Sequence, residues 1–131
     1  MRKKRLLDSF ALLAYLKKES NYLRVKELLS APDAPALMND MNVGETYYIL
    51  ARERGLEQAG AFLNVILPSL PILIRSNSFE HVIEASKIKA SHPLSFADCF
   101  AVATAVREDA VIVTGDPEFK AVRKLVEIEW I

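Results

Sequence analysis

The sequence predicts an α/β fold: a central parallel β-sheet flanked by helices on both faces. Three observations lead there. Short apolar runs of strand length, RLLD at residues 5–8, ALM at 36–38, ILI at 72–74 and VIVT at 111–114, alternate with longer segments whose apolar residues recur at helical spacing. Ser, Asp or Asn stands before most of the helical segments, where an N-cap belongs. Strands alternating with helices pair in parallel through crossovers, and crossovers lay helices on both faces of the sheet.

Each element has its own signal. Arg5 to Asp8 opens the chain as a short buried strand, and Asp8 or Ser9 caps a helix from Phe10 to about Lys18. A second helix runs from Ser20 to Leu29, with Tyr22, Val25, Leu28 and Leu29 on one face, and Ala31-Pro-Asp-Ala-Pro35 breaks it. After the strand Ala36–Met38, Asn39 or Asp40 caps a helix that carries Glu45 and Tyr48 and stops at Gly55. Another helix spans Glu57 to Leu67 and precedes the strand Ile72–Ile74. Helices follow at Ser78–Lys89 and from Ser95 to about Glu108, then the strand Val111–Thr114, a helix of two turns after Pro117, and a terminal strand, Val126–Trp130. No linker, repeat or low-complexity stretch interrupts them, so residues 1–131 are expected to form one domain.

Composition narrows the function classes. The formal charge is zero, but Arg2, Lys3, Lys4 and Arg5 supply four of the 17 basic residues, so residues 6–131 carry 13 basic against 17 acidic groups, or −4. Bulk charge therefore announces no nucleic-acid partner. The single cysteine, Cys99, permits no internal disulfide, and with only His81 and His92 beside it there is no zinc-ligand spacing; a cytoplasmic location is expected. Asp8 interrupts the apolar start in a way a signal peptide does not tolerate, and the uncharged run Gln58–Ile74 holds Pro68 and Pro71, so no membrane segment is expected.

In open α/β sheets ligands bind beyond the carboxyl ends of the strands. Asp8 ends the first strand and Asp116 closely follows VIVT, while Glu45 lies in the helix after the second strand and Asp98 in the first turn of the apolar helix before VIVT. Four acids from four separated segments thus converge on one edge. Each also has a structural explanation: Asp8 and Asp116 as helix caps, Asp98 as the partner of Ser95 in a capping box, Glu45 as a solvated side chain. Together they point elsewhere, because packed carboxylates need a cation, and oxygen ligands without thiolate or imidazole select Mg²⁺ or Mn²⁺.

The blocks LLDSFALLAYL, NVGE, LSFADCFAVATA and VTGDPEF resemble, in order and approximate spacing, the PIN-domain ribonucleases, and among them the VapC-like toxins of toxin–antitoxin pairs. The resemblance spans essentially the whole chain. It implies a PIN-like parallel-sheet fold, a Mg²⁺- or Mn²⁺-dependent endoribonuclease acting on RNA, a homodimer, and inhibition by a small antitoxin protein. Carried over by position, Asp8, Glu45, Asp98 and Asp116 form the acidic quartet that is both catalytic and metal-binding, with Ser9 and Thr114 as auxiliary hydroxyls and Glu118 as a rival for the fourth acid. Where the family often has Thr-Asn after the first acid, this chain has Ser9-Phe10.

Arg52, Arg54, Lys87 and Lys89, with Arg2 to Arg5 as a flexible arm, are the candidate phosphate contacts, and Tyr47 and Tyr48 are core or dimer contacts before they are base-stacking ones. Cys99 and the stripe Phe96, Phe100, Ala103 and Val106 read as buried packing. Rival functions fare worse on the same letters. A receiver domain needs an acidic pair in its first loop, an Asp-x-Asp phosphohydrolase fails at Asp8-Ser9-Phe10, and the four glycines are too scattered for a phosphate-cradling loop. A housekeeping PIN-type RNase and a domain that binds RNA or protein without cleaving it are the remaining alternatives.

Overall fold

The structure, a computed structural model, describes residues 3–30 and 34–131. Five strands, β1 (Arg5–Leu7), β2 (Ala36–Asn39), β3 (Ile72–Arg75), β4 (Val111–Thr114) and β5 (Ile128–Trp130), form one all-parallel sheet in the order β3-β2-β1-β4-β5. The chain moves outward from β1 through β2 to β3, then returns to the other side of β1 for β4 and β5. The carboxyl ends of β1 and β4 therefore flank the switch point of the sheet, where a crevice opens in folds of this kind. Their register, Leu7 beside Val113, brings Asp8 and Thr114 side by side just beyond it.

The inner strands are apolar throughout because both of their faces are covered. Every residue of β2 and β4 is buried, as are Leu6 and Leu7 of β1, whereas the edge strands β3 and β5 are half open. Alternation sends Leu6, Leu37 and Ile112 to one face, where they meet α6 (Phe79–Ser91), α7 (Phe96–Glu108) and a 3₁₀ turn at Pro117–Val122. Leu7 and Val113 point to the other, against α1 (Ser9–Leu16) and α2 (Tyr22–Leu29), while Met38 packs with Leu12 and with α3 (Asp40–Arg54).

α3 ends at Gly55, whose φ of +93° favours glycine and whose N–H closes on the Ala51 carbonyl. The helix expected over 57–67 is three pieces: α4 (Leu56–Ala61), a π-helical segment at Phe62–Ile66 and a short α5 (Leu67–Ser69). Pro68 explains the break. It has no N–H for the carbonyl four residues back, and the ladder slips so that Leu67 N–H reaches Phe62 O. The helix expected after Pro117 is a 3₁₀ helix, since the chain has only six residues before it turns down toward β5. That strand is three residues long; Val126 packs in the core ahead of it.

Among the described residues no helix is long and apolar enough to cross a membrane.

Candidate active site

The site begins with Asp8. It is the N-cap of α1: its Oδ1 accepts from Ala11 N–H at 2.9 Å, so the cap is Asp8 itself and not Ser9. Oδ2 accepts from the Thr114 hydroxyl at 2.5 Å. Thr114, fully buried at the end of β4, also accepts at Oγ1 from Asp116 N–H at 3.0 Å, so one hydroxyl links the two acids that follow neighbouring strands. Ser9 is left free to donate its hydroxyl to Glu45 Oε1, which ties α1 to α3.

Asp98 enters from the first turn of α7. Ser95 caps that helix by accepting from Asp98 N–H at 3.2 Å, and the Asp98 carboxylate does not accept from Ser95 N–H, so half of the anticipated capping box is present; the nearby Ser95 hydroxyl lowers the Asp98 pKa, against the larger effect of burial. Asp116 caps the 3₁₀ turn, accepting from Glu118 N–H at 3.0 Å. That turn brings Glu118 around: one carboxylate oxygen each from Asp98, Asp116 and Glu118 lie within 4.8 Å of one another. Glu118 thus stands beside Asp116 in the cluster.

Electrostatics sets this group apart. Asp8 is 1% exposed and its pKa is pushed up to about 7, mainly by burial, with Asp98 and Asp116 adding repulsion against the hydrogen bonds from Thr114 and Ala11. Asp98, 6% exposed, is also raised to about 7, again mainly by burial, with Glu45, Asp116 and Glu118 adding to it. Several carboxylates elsewhere find cations: Glu108 with Arg75 and Lys4, Glu129 with Arg5 and Arg24, Glu127 with Lys3, Glu84 with Arg107. Among the described residues none of Asp8, Glu45, Asp98, Asp116 and Glu118 makes such a pair. Asp98, Asp116 and Glu118, with no cation paired to them among the described residues, form a cluster of oxygen donors of the kind a hard divalent ion takes, whereas Asp8 and Glu45 lie close enough to Asp98 for mutual repulsion but outside that trio.

The expected N-terminal basic arm is placed away from the acids. Lys3, Lys4 and Arg5 lie at the start of β1, the end of the sheet opposite the acids, and are held by Glu127, Glu108 and Glu129, so they form no free arm; Arg2 lies outside the described residues. Lys89 donates to the Leu94 carbonyl at 2.6 Å, and Arg52 lies over the Tyr48 ring. Tyr47 packs against the α3 core, whereas Tyr48 is exposed. Cys99 and Phe100 are buried as expected, but the two ends of their stripe, Phe96 and Val106, are open. His81 closes a capping box with Ser78, and His92, the C-cap of α6, bonds through Nδ1 to the Ile88 carbonyl in that helix's last turn.

One residue gave no signal in the sequence. Asn42, fully buried one turn before Glu45, donates to the Ala97 carbonyl at 3.3 Å and so joins α3 to the first turn of α7 beside Asp98; among the described residues its Oδ1 has no partner. A lone asparagine inside a helical pattern carries no cue that it is internal.

The PIN-domain family model matches residues 5–125. The chain belongs to the PIN-domain family. No curated relative matches it at a significant level. Solved structures agree with the family on fold. The chain is similar to the Mycobacterium tuberculosis toxin VapC20, described as cleaving the sarcin–ricin loop (TM-score 0.77, 17% identity, 91% of this chain and 95% of that one). It is similar also to a chain of DNA-bound VapBC from Salmonella typhimurium (0.73, 16%, 98% of each) and of VapBC2 from Rickettsia felis (0.72, 19%, 95% and 96%). The fold is thus that of VapC-type PIN proteins, and the PIN family is one of nucleases.

Proposed function

We propose that this PIN protein, acting as a single domain, is a Mg²⁺- or Mn²⁺-dependent endoribonuclease and the toxin of a toxin–antitoxin pair working in the cytoplasm. The observation that carries the reading is the cluster of Asp98, Asp116 and Glu118 at the switch point, with Asp8 and Glu45 beside it and no cation paired to any of them among the described residues. Asp8 and Asp98, with Glu45 or Asp116 and with Glu118 beside them, hold the ion. When bound, it supplies a Lewis acid that makes water nucleophilic at neutral pH and offsets charge on the scissile phosphate. Thr114 fixes the Asp8 carboxylate, Ser9 aims Glu45, and Asp116 N–H on Thr114 keeps the loop after β4 in place. No side-chain nucleophile is required.

An antitoxin partner is supported by the VapBC complexes among the similar structures. A homodimer is supported by apolar side chains left in the open at Leu56, Leu63, Val65 and Ile66, and at Leu73 and Ile74 on the edge strand β3. The purified chain, freed of inhibitor, is expected to cut RNA with Mg²⁺ or Mn²⁺ and to stop when the ion is chelated. Cleavage undiminished by excess chelator overturns the metal mechanism, and binding without cleavage in either ion overturns the nuclease.

A further inference from the structure

The residue after Ser9 is a phenylalanine that the core does not absorb. Phe10 stands in the first turn of α1, two residues beyond Asp8, and is 38% exposed although the residues on either side of it, Ser9 and Ala11, are buried. The tip of its ring rests on Gly115, the residue between Thr114 and Asp116. A methyl group at Gly115 would overlap Phe10 Cε1 and lie 2.8 Å from Cζ and 3.1 Å from the Ile131 carbonyl. The glycine is not needed for its backbone, since its φ is not positive; it is the floor on which the ring lies. An aromatic ring is thereby held, partly open to solvent, against Gly115, the residue before Asp116 of the acidic cluster.

Resting on the nuclease reading above, we infer that Phe10 is a stacking platform for an unpaired nucleobase adjoining the scissile phosphate. The chemistry of the neighbourhood favours this occupant. Asp98, Asp116 and Glu118 cluster at the reaction centre with Asp8 and Glu45 near Asp98, and the cations at the start of β1 lie at the opposite end of the sheet and are already paired. A contact that carries no charge can add affinity here without competing with these acids. A base offers a flat π-face, its phosphate is what the acids with their ion engage, and stacking on an aromatic side chain is sequence-tolerant. Bases stacked inside a duplex have no free face to offer the ring.

The test is binding, kept apart from cleavage by an Asp98→Asn background in chelator. Anisotropy is measured with labelled oligouridine and with a series lacking one base at a time. Stacking of about 1–3 kcal/mol predicts that one abasic position weakens binding about tenfold. Phe10→Leu should bind the intact strand as weakly as that abasic one and lose nothing more on the abasic one, whereas Phe10→Trp should restore the difference. Gly115→Ala, which lifts the ring without removing it, should reproduce Phe10→Leu. Folded Phe10→Leu and Gly115→Ala proteins that bind intact and abasic strands like the parent overturn the proposal. So does a loss confined to dimerisation in light scattering, which would assign the ring to a protein interface. Wild-type protein that shows the stacking difference but leaves RNA uncut in Mn²⁺ would instead refute the nuclease reading and leave this one standing.

Discussion

Neutralising Asp98 should stabilise the metal-free protein, and the gain should depend on pH. Its carboxyl has a pKa of about 7 in the folded chain against 3.8 as its ordinary value, because it is buried and faces Glu45, Asp116 and Glu118. At 1.36 kcal/mol for each tenfold displacement of the equilibrium, holding it ionised costs about 4 kcal/mol above pH 7. Relaxation and proton uptake by its neighbours reduce that, so about 2 kcal/mol is expected from Asp98→Asn, or roughly 5–10 °C in Tm for a chain of this size. The sign follows from linkage. A carboxyl whose folded pKa is raised contributes stability that is complete below pH 3.8 and is lost as pH rises through 7, so the wild type weakens over that window and the variant weakens less. Thermal melts in chelator at pH 8 and pH 5 measure it: the advantage of Asp98→Asn should be large at pH 8 and less than half as large at pH 5. A variant that melts below the wild type at pH 8, with its cap on Ser95 intact, would return Asp98 to a structural role.

Two further outcomes follow from other parts of the molecule. Thr114→Val removes the hydroxyl that serves both Asp8 Oδ2 and Asp116 N–H, so it should cost about 1–3 kcal/mol in a denaturant melt and raise the apparent pKa of Asp8 still further above 7 by NMR titration; an unchanged midpoint would deny the link. Val65→Lys, placed on the open face of the π-helical segment, should turn a dimer into a monomer in light scattering while leaving the fold intact by circular dichroism; a wild type that is already monomeric at micromolar concentration would refute the dimer.

How much of this was legible in the sequence depends on whether the determinant is local. β1 and β4 are readable because strands buried on both faces are continuous apolar runs, and Asp8 and Asp116 are readable because they stand at the ends of those runs. Glu45 and Asp98 need only a helix start nearby to be placed at the same edge. Glu118 is ambiguous until its turn is known to be 3₁₀: a tight turn carries a carboxylate two residues on back to Asp116, and an α-helical turn directs it differently. The N-terminal cations mislead for the opposite reason. They read as a basic arm because their partners, Glu127 and Glu129 for Lys3 and Arg5, are 124 residues away and adjacent only through β4 and β5. Asn42 and the openness of Phe10 and Phe96 are set by packing between helices, which a single helix's periodicity does not record.

The central claim is that these acids form one divalent-cation site, and calorimetric titration of the metal-free chain with Mn²⁺ tests it most directly. With Asp8 and Asp98 both near pKa 7, each is about half protonated at pH 7, so binding should release roughly one proton in total, read from the dependence of the heat on buffer ionisation enthalpy. Asp8→Asn and Asp98→Asn should each weaken binding sharply and reduce the protons released. Mn²⁺ at millimolar concentration that produces no binding heat and no proton release, or binding that persists unchanged with both acids replaced, would contradict the account.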